Sequence, residues 1–229
     1  MNTQDPKNIL VIAAHPDDEV LGMGGTIAKH VHHGDKVAVL YLSTGVASRG
    51  TGLNQMISRR KDAAKKASEV LGFEILGFED FPDNAFDTVS LLSVAQAIEG
   101  VKSQVNPDVV YTHHGGDLNV DHRIACQAVL TAFRAQPGES CSRILSFEVN
   151  SSTEWMPPSV AAPFLPDTFV DIAKHIPELE EACHAYHEEM RPAPHTRSVA
   201  AVLVAAQHRG HSVGLAAAEA FMTLRQIIR

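Results

Sequence analysis

Cysteine is scarce in this chain. There are three in 229 residues, Cys126, Cys141 and Cys183, odd in number and without C-x-x-C spacing. That excludes a disulfide frame and points to thiols in a reducing compartment. Positive charge is also in deficit, with 19 basic against 27 acidic residues and a formal net charge of -8. Such a balance argues against general affinity for nucleic acid or an anionic membrane. Long apolar runs are missing. The longest after the opening strand is Val199 to Ala206, too short to span a bilayer, so no stable membrane insertion is expected. The opening MNTQDPKN is polar and has no signal-peptide core, which leads to an expected cytoplasmic location. Internal repeats and low-complexity tracts are absent.

What is present suits a single enzyme-sized core. Hydrophobic content is 45% and charged content 20%, ordinary for a globular α/β protein. Apolar strand patterns at Asn8 to Ala14, Lys36 to Leu42, Phe73 to Phe78, Asp108 to Thr112 and Ile144 to Val149 alternate with helical stretches at Leu21 to His33, Ser58 to Leu71, Val89 to Val105 and a segment to Phe133. This rhythm predicts right-handed crossovers and a mostly parallel sheet. Ser43 to Gly52, rich in Gly, Ser and Thr, reads as a loop at a strand end. Beyond residue 150, Trp155 to Pro166 reads as an irregular, proline-rich excursion. Asp171 to Met190, Thr196 to Gln207 and Ala216 to Ile228 read as helices. The expected fold is a three-layer α/β sandwich with a Rossmann-like, mostly parallel sheet. One domain spans 1–229, with a core over 1–150 and a C-terminal helical cap over 151–229 that offers a surface for homo-oligomer formation.

The chemistry concentrates at two strand ends. The first strand runs into His15-Pro16-Asp17-Asp18-Glu19, and the fourth into His113-His114-Gly115-Gly116-Asp117-Leu118-Asn119-Val120-Asp121-His122. In open α/β sheets ligands bind beyond the carboxyl ends of the strands, so two such loops can converge. A catalytic zinc takes three protein ligands and leaves a position for water. His15, Asp18 and His122 meet that requirement, for one zinc ion per chain. Neighbouring residues in a turn point different ways, so Asp17 is free to face the water as its base.

At these residues the chain resembles the PIG-L/LmbE family of zinc-dependent N-deacetylases. The resemblance rests on AHPDDE after the first strand, the Asp121-His122-Arg123 triplet, and Gly22-Met23-Gly24-Gly25-Thr26. It implies hydrolysis of the N-acetyl group of an N-acetylglucosamine-type amino sugar or its conjugate. It also implies His15, Asp18 and His122 as zinc ligands, Asp17 as general base and Arg59 as a substrate-contacting arginine. Asp121 and Arg197 join Arg59 as expected substrate contacts. Many relatives carry H-P-D-H where this chain has Asn119-Val120-Asp121-His122. Asn119 can donate to an oxyanion but cannot act as a general acid. The acid role is therefore assigned to His195, with Asp17 itself as the other route for the proton. Two further readings stay open: a metal-dependent amidase acting on a larger thiol or non-sugar conjugate, and a zinc-holding sugar-binding module without turnover.

Several features have plainer readings. Gly22-x-Gly24-Gly25 lies too far past the strand for a phosphate-cradling turn, so its glycines are read as close helix–sheet packing. His30, His32 and His33 read as a solvated helix end, and His175, His184 and His187 as ordinary residues on an exposed helix.

Overall fold

A computed structural model of the chain describes residues 5–46 and 53–228. The second half of the predicted Ser43 to Gly52 loop thus lies outside the described residues. The strands are β1 (Asn8–Ala13), β2 (Lys36–Tyr41), β3 (Glu74–Phe78), β4 (Val109–His113), β5 (Arg143–Phe147), β6 (Thr168–Asp171) and β7 (Ala218–Gln226). The α-helices are α1 (Asp18–His32), α2 (Leu53–Leu71), α3 (Leu91–Val105), α4 (Val120–Ala132), α5 (Ile176–Ala185) and α6 (Val199–His211).

The sheet has seven strands in the order β3-β2-β1-β4-β5-β7-β6. The strands from β3 to β5 are parallel, while β7 runs antiparallel to both β5 and β6. Strand β1 explains the layering. Its Ile9, Val11 and Ala13 join the core that also holds Val20, Ala67, Leu179 and Val202 from α1, α2, α5 and α6. Its Leu10 and Ile12 face the other core, with Val94 and Ile98 of α3 and Val129 of α4. A strand apolar on both faces needs cover on both, and the three-layer sandwich follows.

The C-terminal portion departs from the predicted helical cap. Ala216 to Ile228 contributes β7, a strand, not a helix. The run Ala218-Glu219-Ala220-Phe221 is alanine-rich and favours helix locally, but pairing with β5 on one side and β6 on the other overrides that preference. The predicted helix from Asp171 is also shorter. Residues up to Asp171 form β6, and α5 begins only at Ile176, with Pro177 in its first turn. Beyond residue 150 the chain therefore adds two strands as well as two helices.

Helix α1 is bent. Met23 has non-helical dihedrals (φ -159, ψ 26), so the helix restarts in the glycine segment. The freed N–H groups of Gly25 and Thr26 donate to the carboxylate of Glu219 in β7 at 2.9 and 2.6 Å. Carboxyl oxygens at a helix start satisfy its orphan donors. The glycines here are packing positions, as the sequence suggested. A Cβ on Gly22 would lie 2.4 Å from Phe147, and one on Gly25 would lie 2.7 Å from Ile172. Among the described residues, no helix is long and apolar enough to cross a membrane.

Candidate functional site

The strand order places a topological switch between β1 and β4. After β1 the chain goes to β2 on one side, and it later returns to β4 on the other. Loops that leave such neighbours diverge and open a crevice at their carboxyl ends. The His15 to Glu19 turn and the 114–119 loop border that crevice. Its cavity, of about 470 Å³, is lined by His15, Asp17, Asn119, His122, Trp155 and Arg197, among others.

Asp18 is the hub. Its Oδ2 lies 3.3 Å from His15 Nδ1 and 3.4 Å from His122 Nε2, and it also accepts from the His15 backbone N–H at 2.8 Å. Donor atoms of His15, Asp18 and His122 all lie within 4.8 Å of one another, and all three residues are buried. Each imidazole is aimed by a carboxylate on its other nitrogen. His15 Nε2 is 2.9 Å from Asp121 Oδ2, and His122 Nδ1 faces Asp117 Oδ1 at 3.3 Å. Asp117 in turn accepts from Ser152 and from Thr153 Oγ1. Carboxylate-backed histidines presenting one open nitrogen each are the usual form of metal-ligating imidazoles. His113 is excluded from the set. Its Nε2 already accepts the Ala14 N–H at 2.8 Å, and its ring stacks on His122 with centroids 3.9 Å apart.

The charges of this cluster fit a cation. Burial works against a charged His15, but Asp121 and Asp18 raise its pKa to about 9. Burial likewise opposes a charged His122, yet Asp18 and Asp117 lift it to about 10. Burial disfavours the Asp18 carboxylate, but the surrounding imidazoles hold its pKa well below the usual value. His113 goes the other way, to about 3, through burial and the charge on His122. Two imidazolium protons thus neutralise buried carboxylates. A divalent ion bound by both rings would displace those two protons with no change in net charge. The residues present fit a metal.

Asp17 turns away from this cluster. Its φ of 117 lies in the left-handed region, which costs a non-glycine residue on the order of 1–3 kcal/mol and tends to mark functional sites. The conformation is held from both sides. The Asp17 N–H donates to Glu19 Oε2 at 3.0 Å. Its Oδ2 is reached by Arg197 at 3.1 Å and Arg60 at 3.3 Å. Glu19, fully buried, is pinned by the Tyr186 hydroxyl at 2.6 Å.

Three of the expected catalytic and substrate-contacting residues are not among those lining the cavity. Arg59 is 56% exposed and pairs with Glu188. It lines a neighbouring cleft between α2 and the end of α5, and Arg60 is the arginine beside Asp17. Asp121 is fully buried, and its oxygens are taken by His15 and by the N–H groups of Asn84 and Phe86. All of these partners are protein groups, and one of them is the His15 ring. His195 does not line the cavity. Its Nδ1 accepts the Arg197 N–H at 3.0 Å and its ring stands edge-on to Trp155, so it shapes the loop that presents Arg197. Asn119 caps α4, accepting the Asp121 N–H at 2.8 Å, while its Nδ2 donates to Asn84. Sequence reasoning missed Arg60, Asp83, Asn84 and Trp155 in the cavity wall.

A switch-point crevice with a His-Asp-His donor set and an adjacent carboxylate defines an α/β enzyme with a metal-type centre. The chain belongs to the PIG-L family of de-N-acetylases: the family model described as GlcNAc-PI de-N-acetylase matches residues 10–133. It is similar to the uncharacterized deacetylase YaiS of Escherichia coli, with 30% identity over 72% of this chain and 82% of that protein. It is also similar to a probable N-acetyl-alpha-D-glucosaminyl L-malate deacetylase 2 of Bacillus cereus, at 29% identity over 65% of this chain and 70% of the relative. The 4-oxalmesaconate hydratase of Pseudomonas putida is 30% identical over 75% of this chain and 69% of its own length. Among solved structures, the conserved protein TT1542 of Thermus thermophilus superposes with a TM-score of 0.72 at 27% identity, covering 97% of each chain.

Proposed function

We propose that this protein is a zinc-dependent N-deacetylase that hydrolyses the acetamido group of an N-acetylglucosamine-type sugar or its conjugate. One observation carries the reading. Asp17 lies between His15 and Asp18 of the donor set yet faces the cavity, fixed by Arg60 and Arg197 in a strained conformation. A module that only bound sugar would need no such carboxylate. Zinc would be held by His15, Asp18 and His122, where it supplies Lewis acidity to the amide oxygen and to water.

The chain's own residues do the rest. Asp17 accepts the proton of the attacking water. Asn119, whose Nδ2 lies at the cavity wall on Asn84, turns that donor to the amide oxygen as negative charge develops. Asp121 and Asp117 keep the two imidazoles in register. With His195 outside the cavity, the proton for the departing amine comes from Asp17, which returns what it took. Arg197 and Trp155 border the space the sugar would fill. The three buried, unbridged cysteines suit a cytoplasmic setting.

The hydratase relative favours a second reading, in which the same activated water adds across a carbon–carbon double bond. Zinc-loaded protein incubated with a panel of N-acetylglucosamine conjugates should release acetate in step with free amine. Absence of acetate from every sugar amide, with hydration of an unsaturated dicarboxylate instead, would overturn the deacetylase reading.

A further inference from the structure

We propose that His32, His175 and Glu178 form a second transition-metal site, separate from the switch-point cavity, that ties the end of α1 to the start of α5. His32 closes the last turn of α1, His175 ends the short 3-10 turn before α5, and Glu178 lies in the first turn of α5. His32 lies fourteen positions after Asp18 along α1, so the two centres stand about 20 Å apart at 1.5 Å rise per residue.

The donor geometry suits a tetrahedral ion. Zinc bonds of about 2.0–2.2 Å place donor atoms roughly 3.3–3.6 Å apart in a tetrahedral site. Glu178 Oε1 lies 3.5 Å from His175 Nδ1 and 3.9 Å from His32 Nε2. One donor atom from each of the three residues falls within 4.8 Å of the other two. Small rotamer shifts therefore close the set. Two imidazoles and one carboxylate are a donor combination typical of zinc.

An independent observation comes from His175. Its Nδ1 is buried and makes no hydrogen bond, although its side chain is only 12% exposed. A buried polar atom without a partner needs an explanation, and a metal bond supplies one. The two rings meet edge to face with centroids 4.8 Å apart, which leaves His175 Nδ1 and His32 Nε2 both directed at Glu178. His32 is 63% exposed, so an ion can enter from solvent and keep one coordination position for water. Because the ligands come from α1 and from the segment entering α5, an ion bound there adds stability to their junction.

The test compares zinc uptake by equilibrium dialysis at one fixed pH of about 7.5, because metal affinity is pH-dependent. The expected result is that wild-type protein holds about one zinc more per chain than His32→Ala or Glu178→Gln. His32 is exposed, so its replacement leaves the fold intact. Raising zinc beyond the first equivalent should raise the unfolding temperature of wild type and leave that of His32→Ala unmoved, with turnover equal in both. The criterion is a difference between proteins and does not depend on occupancy of the switch-point site. Equal zinc uptake by wild type and both variants overturns the proposal.

Discussion

Removing the charge at Arg60 tests whether the ion pairs behind Asp17 hold the fold as well as the site. Arg60 is 5% exposed. Its guanidinium lies 3.3 Å from Asp17 Oδ2 and 2.5 Å from Glu189 Oε1, with both partners almost fully buried. The same group sits over the Tyr186 ring at 5.8 Å. Arg60→Met keeps a flexible apolar stem and deletes the charged guanidinium. Removing one member of a buried ion pair typically costs about 3–5 kcal/mol, because the opposite charge stays desolvated. Asp17 keeps Arg197 at 3.1 Å, so the lower end, about 3 kcal/mol, is the expectation here. For a domain of this size, about 2–4 °C of melting temperature accompanies each kcal/mol, which gives a fall of roughly 6–12 °C. Thermal unfolding followed by circular dichroism at neutral pH reads it directly. Added salt should change the loss little, since buried pairs are weakly screened. The double variant Arg60→Met/Glu189→Leu removes both charges and should regain a good part of the loss, as apolar replacement of a buried pair often does. A single variant that melts within about 2 °C of wild type would refute the reasoning, as would a double variant less stable than the single one.

The other expectations are shorter. Asp17→Asn should keep its metal and lose on the order of 10²–10⁴ in turnover, checked by elemental analysis beside acetate release; near-normal turnover would move the base elsewhere. Burial raises Glu219 to about 7 against the hydrogen bonds from Gly25 and Thr26. The folded state then keeps a proton that the unfolded chain loses near pH 4.5, so this stability is present in full at acid pH and fades as pH rises through about 7. Glu219→Gln should therefore flatten the decline between about pH 5 and pH 8 by roughly 2–3 kcal/mol in urea melts, and an unchanged slope relative to wild type counts against it. Gly25→Ala would push a methyl into Ile172 at 2.7 Å and should destabilise by about 1–3 kcal/mol; a neutral effect in chemical denaturation would show that α1 and Ile172 can part freely.

What the sequence made legible follows from which forces act locally. The run Ile9 to Ala14 is apolar at every position, and only a strand buried on both faces uses such a run, so β1 and the site at its end could be read directly. The convergence of His15, Asp18 and His122 was readable for the same reason, since both contributing loops follow recognisable strands. β7 was not readable, because Ala218 to Phe221 carries local helix preference and becomes strand only through partners about 75 residues upstream in β5 and 50 in β6. Asp121, within the second motif, reads in the sequence as a substrate contact, while its burial depends on Asn84 and Phe86 arriving from another loop.

Arg60 is different, because a local signal existed and points to it. The buried face of α2 is Arg60, Ala64, Ala67 and Leu71, a helical stripe with spacings of four, three and four. Extending the apolar stripe one turn back from Ala64 lands on Arg60 and leaves Arg59 on the solvent side, where it is found. A charged residue at the end of an apolar stripe is costly unless something of opposite sign waits for it. Here Asp17 and Glu189 wait, contributed by segments more than forty residues from Arg60 on either side. Helical phase therefore selects the arginine, and the buried carboxylate it meets selects its role: it holds Asp17 in a left-handed conformation that the turn after β1 would not keep unaided.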